Sequence, residues 1–423
     1  MKNVKRILTA ALAVSLVCIL MLTGCSIPRI EYNSIPETAA TYGDGKTISS
    51  GEYLAYLYLE FENMYYNQGL YYSEMYGEDP WEQTFPYGDT DEKLVLSDYI
   101  IRSTQDNIKR QIVLDQMMKE YGINWIEEDL KNVQKNLDQM QADLYLPLGF
   151  SNDSYATVMK ALNLNERSLF YGLYGKDGQK AVKEEDLKKY FADNYVSYKM
   201  LSIALTDKDG KELKSDSEVY KKLMALMDGY METYKKEGFD AAYKQFQADQ
   251  TKISDIKKGT TTTTTTTTTA PTTTTTTTAH SEDDGHDHDH EEEEDKDPNR
   301  IDADSSNMDE ALKDAIFGKK DKDGKVEQEG VKVGECKMVN YKASGSTATV
   351  ALIERLDINV DRNGKKDGLY EDSIESIIYE LKYEEFNKEV KANLEKLTID
   401  FNSKVVDSDK TDPKLFVDII NNL

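Results

Sequence analysis

A chain of 423 residues is about two to three times the length of an ordinary domain, which excludes a peptide or a stapled miniprotein and predicts at least two folding units. Hydrophobic residues make up 39% and charged residues 31%, with a mean hydropathy of -0.65, which excludes both a polytopic membrane protein and a wholly disordered one. A net charge of -26 excludes a face for the phosphate backbone of nucleic acid, which needs a basic surplus. All the histidines, His280, His286, His288 and His290, fall in one low-complexity tract. No folded part of the chain is therefore expected to use a histidine base or a buried histidine-metal centre.

Lys2, Lys5 and Arg6 precede an apolar run from Ile7 to Leu22, followed by Leu22-Thr23-Gly24-Cys25. Residues 1–24 read as a signal peptide, too short and wrongly flanked to favour a permanent span. The small residues before Cys25 resemble the pattern read by bacterial lipoprotein signal peptidase, so Cys25 is the expected lipidation site and residues 25–41 a lipidated tether. The expected location is the cell membrane, lipid-anchored, with the body on the extracytoplasmic face. With Cys18 removed and Cys25 lipidated, only Cys336 remains, and no internal disulfide is possible. Cys336 is expected to be a buried, inert thiol in a strand.

Tyr42-Gly43-Asp44-Gly45-Lys46 predicts a tight turn, and Ser49 or Ser50 with Glu52 predicts a helix start. Tyr53, Leu54, Leu57, Tyr58, Phe61, Met64 and Tyr65 keep a helical period to about Tyr76, before Asp79-Pro80. Helices are predicted over residues 91–121, 127–146, 154–162, 166–174 and 184–194. Tyr198 to Leu205 predicts a strand, and helices follow over 217–236 and from Phe239 to about Asp249. Past an insertion come a helix from Met308 to Phe317 and strands near Val331 to Tyr341 and Thr347 to Leu356, joined by a hairpin turn at Ala343-Ser344-Gly345-Ser346. Helices over 374–397 and about 413–421 end the chain. The predicted fold is α+β and predominantly helical. A helical domain is formed by N- and C-terminal segments, 42–194 and 361–423, around an α/β domain at 195–360.

The insertion, 258–300, opens with threonine runs at Thr260 to Thr269 and Thr272 to Thr278, which cannot form a core. Outside a cell such a stretch reads as an extended stalk that can carry O-glycans. Ser281 to Asp297 then holds eleven acids and one lysine, a net charge of -10. Within it His286, His288 and His290 alternate with aspartates, a set able to chelate zinc, copper or nickel loosely, because two-residue spacing in a disordered tract imposes no geometry. The alternative is a solvated acidic linker. Asp357 to Gly364 suggests a calcium loop but departs from the EF-hand, with Arg362 at the glycine position and Gly368 at the bidentate acid position, so a polar turn is predicted.

The order of elements resembles the SurA and PrsA family of extracytoplasmic foldases, over nearly the whole mature chain. Tyr42-Gly43-Asp44-Gly45-Lys46-Thr47-Ile48-Ser49-Ser50-Gly51-Glu52-Tyr53 is similar to that family's opening strand, glycine turn and helix beginning with an aromatic. Lys183 to Asn194 resembles the helix leading into a parvulin-type prolyl isomerase domain, and Gly238-Phe239-Asp240-Ala241-Ala242-Tyr243 the helix before its acidic position, which would fall near Asp249. Met308 to Phe317 resembles the segment lining the proline pocket, with Leu312 where the family has a phenylalanine, and Val333-Gly334-Glu335 resembles the turn after it. The resemblance implies a helical chaperone domain around a parvulin-like domain, with Met308, Leu312 and Phe317 binding substrate.

The departures lie at the polar floor of that pocket. Ser202 stands where the first strand would carry a histidine, Val350 or Ala351 where the last strand would, and the low-complexity tract replaces a glycine-rich loop. Only Ser202 and Asp249 remain as candidate catalytic groups for a rotation with a barrier near ~20 kcal/mol, so isomerase activity is expected to be weak or lost. The function implied is a membrane-anchored chaperone for unfolded or newly secreted polypeptides. An active peptidyl-prolyl isomerase and a zinc-binding lipoprotein using the His/Asp tract are the alternatives. No cofactor is required on this reading, loosely bound zinc being an optional addition, and the partners are unfolded polypeptides and the membrane, with no nucleic acid. Tyr53, Tyr56, Tyr65, Tyr66, Tyr71 and Tyr72 are either an adaptable apolar cradle or the core and rim of a helix bundle.

Overall fold

The computed structural model describes residues 29–422 except 31–33, 89–90, 142, 260–296, 298, 306–307, 321, 323–324 and 344, and gives only the backbone at 74, 75 and 320. Cys25, His286, His288 and His290 lie outside these residues, as does the other tract histidine. The described chain is α+β and mostly helical, as the sequence implies.

The first segment pairs β1 (Thr38–Tyr42) with β2 (Lys46–Ser49) through the predicted turn, where Gly43 and Gly45 take positive φ. Helix α1 (Ser50–Phe61) starts on a capping box: the Ser49 hydroxyl accepts from the Glu52 N–H at 3.1 Å, and the Glu52 carboxylate accepts from the Ser49 N–H at 2.8 Å. The helix widens into a π turn at Glu62–Asn67, and a short α2 (Tyr71–Met75) follows. Residues 25–41 are not a free tether in their described part. Ile30, Ile35, Ala39 and Ala40 are buried, because their apolar side chains complete the core around α1 and β1 takes up the rest.

Lys93–Val95 (β4) pairs with Thr84–Pro86 (β3), so α3 runs from Leu96 to Tyr121 and starts later than the sequence periodicity suggests. Gly122 ends it at φ 64. Helix α4 (Glu127–Leu137) stops well short of Leu146, and a 3-10 turn at Leu146–Leu148 carries the chain onward. The two helices predicted over 154–174 are one, α5 (Asn152–Tyr174). The asparagines at its middle are satisfied without breaking the backbone: Asn163 donates to the Met159 carbonyl, and Asn165 accepts from Trp125 Nε1 at 2.8 Å and donates to Gln111 at 3.1 Å.

From Lys183 the chain builds a second compact unit, which ends at Ile377. Helix α6 (Glu184–Asn194) belongs to it and not to the helical unit, because Phe191 packs on Tyr195 and Tyr370 with ring centroids 5.0 and 5.3 Å apart. Strand β5 (Tyr195–Ala204) is followed by α7 (Glu218–Glu237), α8 (Phe239–Ala248) and α9 (Gln250–Lys257), the last a helix the sequence did not suggest. After the insertion come β6 (Arg300–Asp304), α10 (Glu310–Phe317), a hairpin of β7 (Gly318–Lys320) with β8 (Val326–Glu329), then β9 (Cys336–Tyr341) and β10 (Thr349–Leu356). β9 starts five residues later than expected, since Lys332–Glu335 makes a turn with Gly334 at φ 76. The main sheet runs β6-β5-β10-β9, antiparallel throughout, with Ser202 opposite Ala351.

Helix α11 (Gly368–Leu394) starts in this unit and continues into the first, where Ile378–Leu423 rejoins residues up to Val182. There β11 (Ile399–Phe401) pairs with β1, and α12 (Ser403–Val406) and α13 (Lys414–Asn422) close the core. That core joins Tyr53, Leu57 and Phe61 of α1 to Ile100 and Ile108 of α3, Phe150, Val405 and Phe416. The unit boundaries thus fall at 182 and 377 instead of 194 and 360.

Candidate functional site

Alternation along β5 gives the main sheet two unlike faces. Leu201, Ile203 and Leu205 point with Val350 and Leu352 into a core closed by Leu223, Met227 and Tyr230 of α7, Phe239 and Ala242 of α8 and Ile253 of α9. Val196 and Tyr198 point the other way, with Ala351 and Ile353, onto Ile316 and Val331. Three helices cover the first face. Among the described residues the second face is covered by the eight-residue α10, and its margin of Met200, Met308, Leu312, Phe317, Val339 and Tyr341 is half-buried.

Met308, Leu312 and Phe317 therefore gather on one face, as the sequence suggests, and Ser202 shares it by its place in the strand. Asp249 does not. It stands at the junction of α8 and α9, where it accepts a hydrogen bond from the buried Tyr230 hydroxyl at 3.2 Å on the other face of the sheet. Burial first, then the Asp249 carboxylate, raises the Tyr230 hydroxyl far above its ordinary range, so that hydroxyl stays protonated. Ser202 and Asp249 are separated by the sheet and cannot act on one bond.

The open face has a polar group that sequence reasoning missed. Arg355 on β10 lies over the Phe317 ring, 4.9 Å from its centroid, and donates to the Val331 carbonyl at 3.2 Å. Its Nε is buried and has no hydrogen-bond partner among the described residues, and burial lowers the guanidinium pKa. The signal was the alternation Ala351-Ile353-Arg355, legible only once the register with β5 is known. Tyr198 and Tyr341 border the same face, their hydroxyls raised above the ordinary range by burial first, and then by Tyr341 at Tyr198 and by the Asp309 carboxylate at Tyr341.

Half of the tyrosines considered for a cradle, Tyr53, Tyr56 and Tyr65, are core. Tyr66 and Tyr71 are half-buried, and Tyr72 stands out at 51% exposure; of their neighbours Tyr58 is buried and Tyr76 is 83% exposed. The helical unit instead has a cleft of about 340 Å³ between Tyr42, Tyr56, Ile108, Trp125 and Val158, with Glu52 and Asp115 in its lining.

No group of His, Cys, Asp or Glu able to hold a metal ion occurs among the described residues, and the His/Asp tract is not among them. Asp357 and Asp361 close turns: Asp361 Oδ1 accepts from the Asn363 and Lys365 N–H groups at 2.9 and 2.8 Å, and Asp357 from Asn359. Cys336 opens β9 half-buried, its thiol pushed up to about 12 by burial and the carboxylates of Glu354 and Glu335.

No family model matches the chain, and no curated protein matches it. Among solved structures it is similar to the crystal structure of the foldase protein PrsA from Lactococcus lactis, at 12% identity and a TM-score of 0.32, over 91% of this chain and 99% of that one. At that distance the activity of that protein is not carried over to this chain.

Proposed function

We propose that this chain is a lipid-anchored extracytoplasmic chaperone that binds unfolded or newly secreted polypeptides, with prolyl isomerase activity weak or lost. The observation that carries this reading is the half-covered sheet face, where Met200, Met308, Leu312, Phe317 and Tyr341 remain only half-buried. Methionine and aromatic side chains adapt to varied apolar partners, and a patch of this kind marks an interaction surface. Covering each such side chain is worth about 1 kcal/mol, so the whole patch supplies roughly 5 kcal/mol. Immobilising a client costs a similar amount, at least ~4 kcal/mol, which makes the binding weak and releasable, as a chaperone requires.

The separation of Ser202 from Asp249 argues against catalysis of prolyl rotation by that pair. The anchor rests on Leu22-Thr23-Gly24-Cys25, and the chaperone role does not depend on it.

The test uses the chain from Ser26 onward with a reduced, aggregating secreted protein whose refolding has a proline-limited phase. Aggregation should slow while the slow phase keeps its rate, and Met308→Glu with Leu312→Glu should abolish the protection. Because both side chains are half-buried against the core, the double variant should lose some stability, and its circular dichroism should still show the parent fold at the assay temperature. An accelerated slow phase would establish the isomerase alternative, and undiminished aggregation would end the chaperone reading.

A further inference from the structure

We infer that the loop carrying Leu146 is the surface that the helical unit turns to the lipid bilayer. The inference rests on the lipid anchor proposed above and goes beyond it by assigning the face that the anchor holds down. Ile30 is the first buried residue of the described chain. Its N–H donates to the Pro147 carbonyl at 2.9 Å, and its side chain fills the space beside Gly149, where a Cβ would meet Ile30 Cγ2 at 2.7 Å. Gly149 stands at φ 89, so both its backbone and the space beside it require glycine. Five residue steps separate Ile30 from Cys25, a reach of at most about 18 Å. A lipidated Cys25 therefore brings the turn at Tyr145–Phe150 to the membrane surface.

That turn buries Leu148 and Phe150 but leaves Leu146 51% exposed. On a free protein one exposed leucine means nothing. On a tether this short, the effective concentration of bilayer at the turn is high enough for a weak contact to dominate. Charge points the same way. The chain as a whole carries -26 and is repelled by anionic lipid, yet the cavity of about 550 Å³ beside Ile30 balances Arg29 and Lys410 against Asp409 and Asp418. Helix α5 starts beside this turn and rises about 1.5 Å per residue, so Lys176, exposed just past its far end, lies roughly 35 Å away along the axis. The tether cannot bring both ends down with equal preference.

The experiment uses the full lipidated chain in vesicles of phosphatidylcholine and phosphatidylglycerol, in a Cys336→Ser background, with an environment-sensitive fluorophore on Leu146→Cys or Lys176→Cys. Phospholipids carrying nitroxide on their acyl chains should quench the label at 146 and leave that at 176 bright. Equal quenching, or none at 146, overturns the inference when mass spectrometry finds the lipid on Cys25, and the anchor then stands. A chain without that lipid overturns the anchor and this inference together, leaving the chaperone reading untouched. If the Cys336→Ser background does not fold, the parent thiol can be kept, because its raised pKa keeps it slow to label.

Discussion

Glu62 shows how a single side chain can set a pH dependence. It opens the π turn, and the Tyr58 hydroxyl donates to its Oε1 at 2.6 Å. Burial raises its carboxyl above the ordinary range, and the hydrogen bond from Tyr58 only partly opposes this. Glu60 is raised in the same direction by burial, against hydrogen bonds from Ser103 and Asn107. A carboxyl raised in the folded state binds more protons there than in the unfolded chain. Stability therefore falls as pH rises from the unfolded pKa through the folded one, and is lower at neutral pH than just below that window. Glu62→Gln keeps an acceptor for Tyr58 and removes the buried charge. Thermal melts should show a higher midpoint for Glu62→Gln near neutral pH and little difference in acid, where Glu62 is already neutral. Equal midpoints at both would mean that the turn relaxes to hydrate the carboxylate.

The second half of α11 shows what one element owes to charge. From Ile378 onward Phe386 and Val390 are buried, and a polar seam runs beside them. Arg110 donates to Glu166 at 2.8 and 3.0 Å and to Asn387 at 3.1 Å, while Tyr383 donates to the other Glu166 oxygen at 3.2 Å. Nearby, Glu389 accepts from Lys180 at 2.7 Å and from Tyr121 at 2.5 Å, which lowers its pKa against the opposing effect of burial. Isolated surface ion pairs contribute little, but this network is part-buried and shared among three helices. Arg110→Ala should cost about 1–2 kcal/mol by denaturant unfolding. Lys131→Ala, which removes the exposed pair with Glu127, should cost less than about 0.5 kcal/mol. Equal losses would show that the seam adds nothing beyond packing.

For the whole molecule, the two units draw on separate cores. At the place where the chain returns from the insertion, Lys199 bridges Asp240 at 3.1 Å and Asp297 at 2.8 Å, and Arg300 is held by Asp302, Ser197 and the Asp357 carbonyl. Those contacts need residues from Asp297 onward and none of 260–296. Replacing 260–296 by a short glycine-serine linker should leave the melting temperature unchanged. Calorimetry with zinc should at the same time lose whatever heat the parent chain shows, because His280, His286, His288 and His290 all go with the segment. A lower melting temperature would place part of the tract in the fold. Retained zinc heat would move the metal site elsewhere.

Local features were legible from the residues alone. The Ser49 and Glu52 capping box, the periodic faces of α3 and α6 and the β9–β10 hairpin all depend on side chains a few positions apart. The gathering of Met308, Leu312 and Phe317 on one face was likewise legible, from helical spacing together with a family resemblance. Only the tertiary structure paired β1 with β11 across most of the chain, placed β6 beside β5, and turned Tyr53, Tyr56, Tyr58 and Tyr65 into core. It alone put Ser202 and Asp249 on opposite faces of the sheet and brought Arg355 over Phe317. The physical reason is range: caps and periodicity act through neighbouring residues. Strand partners, and the face that a side chain shares with distant ones, are decided by which apolar surfaces can be buried together once the whole chain has collapsed.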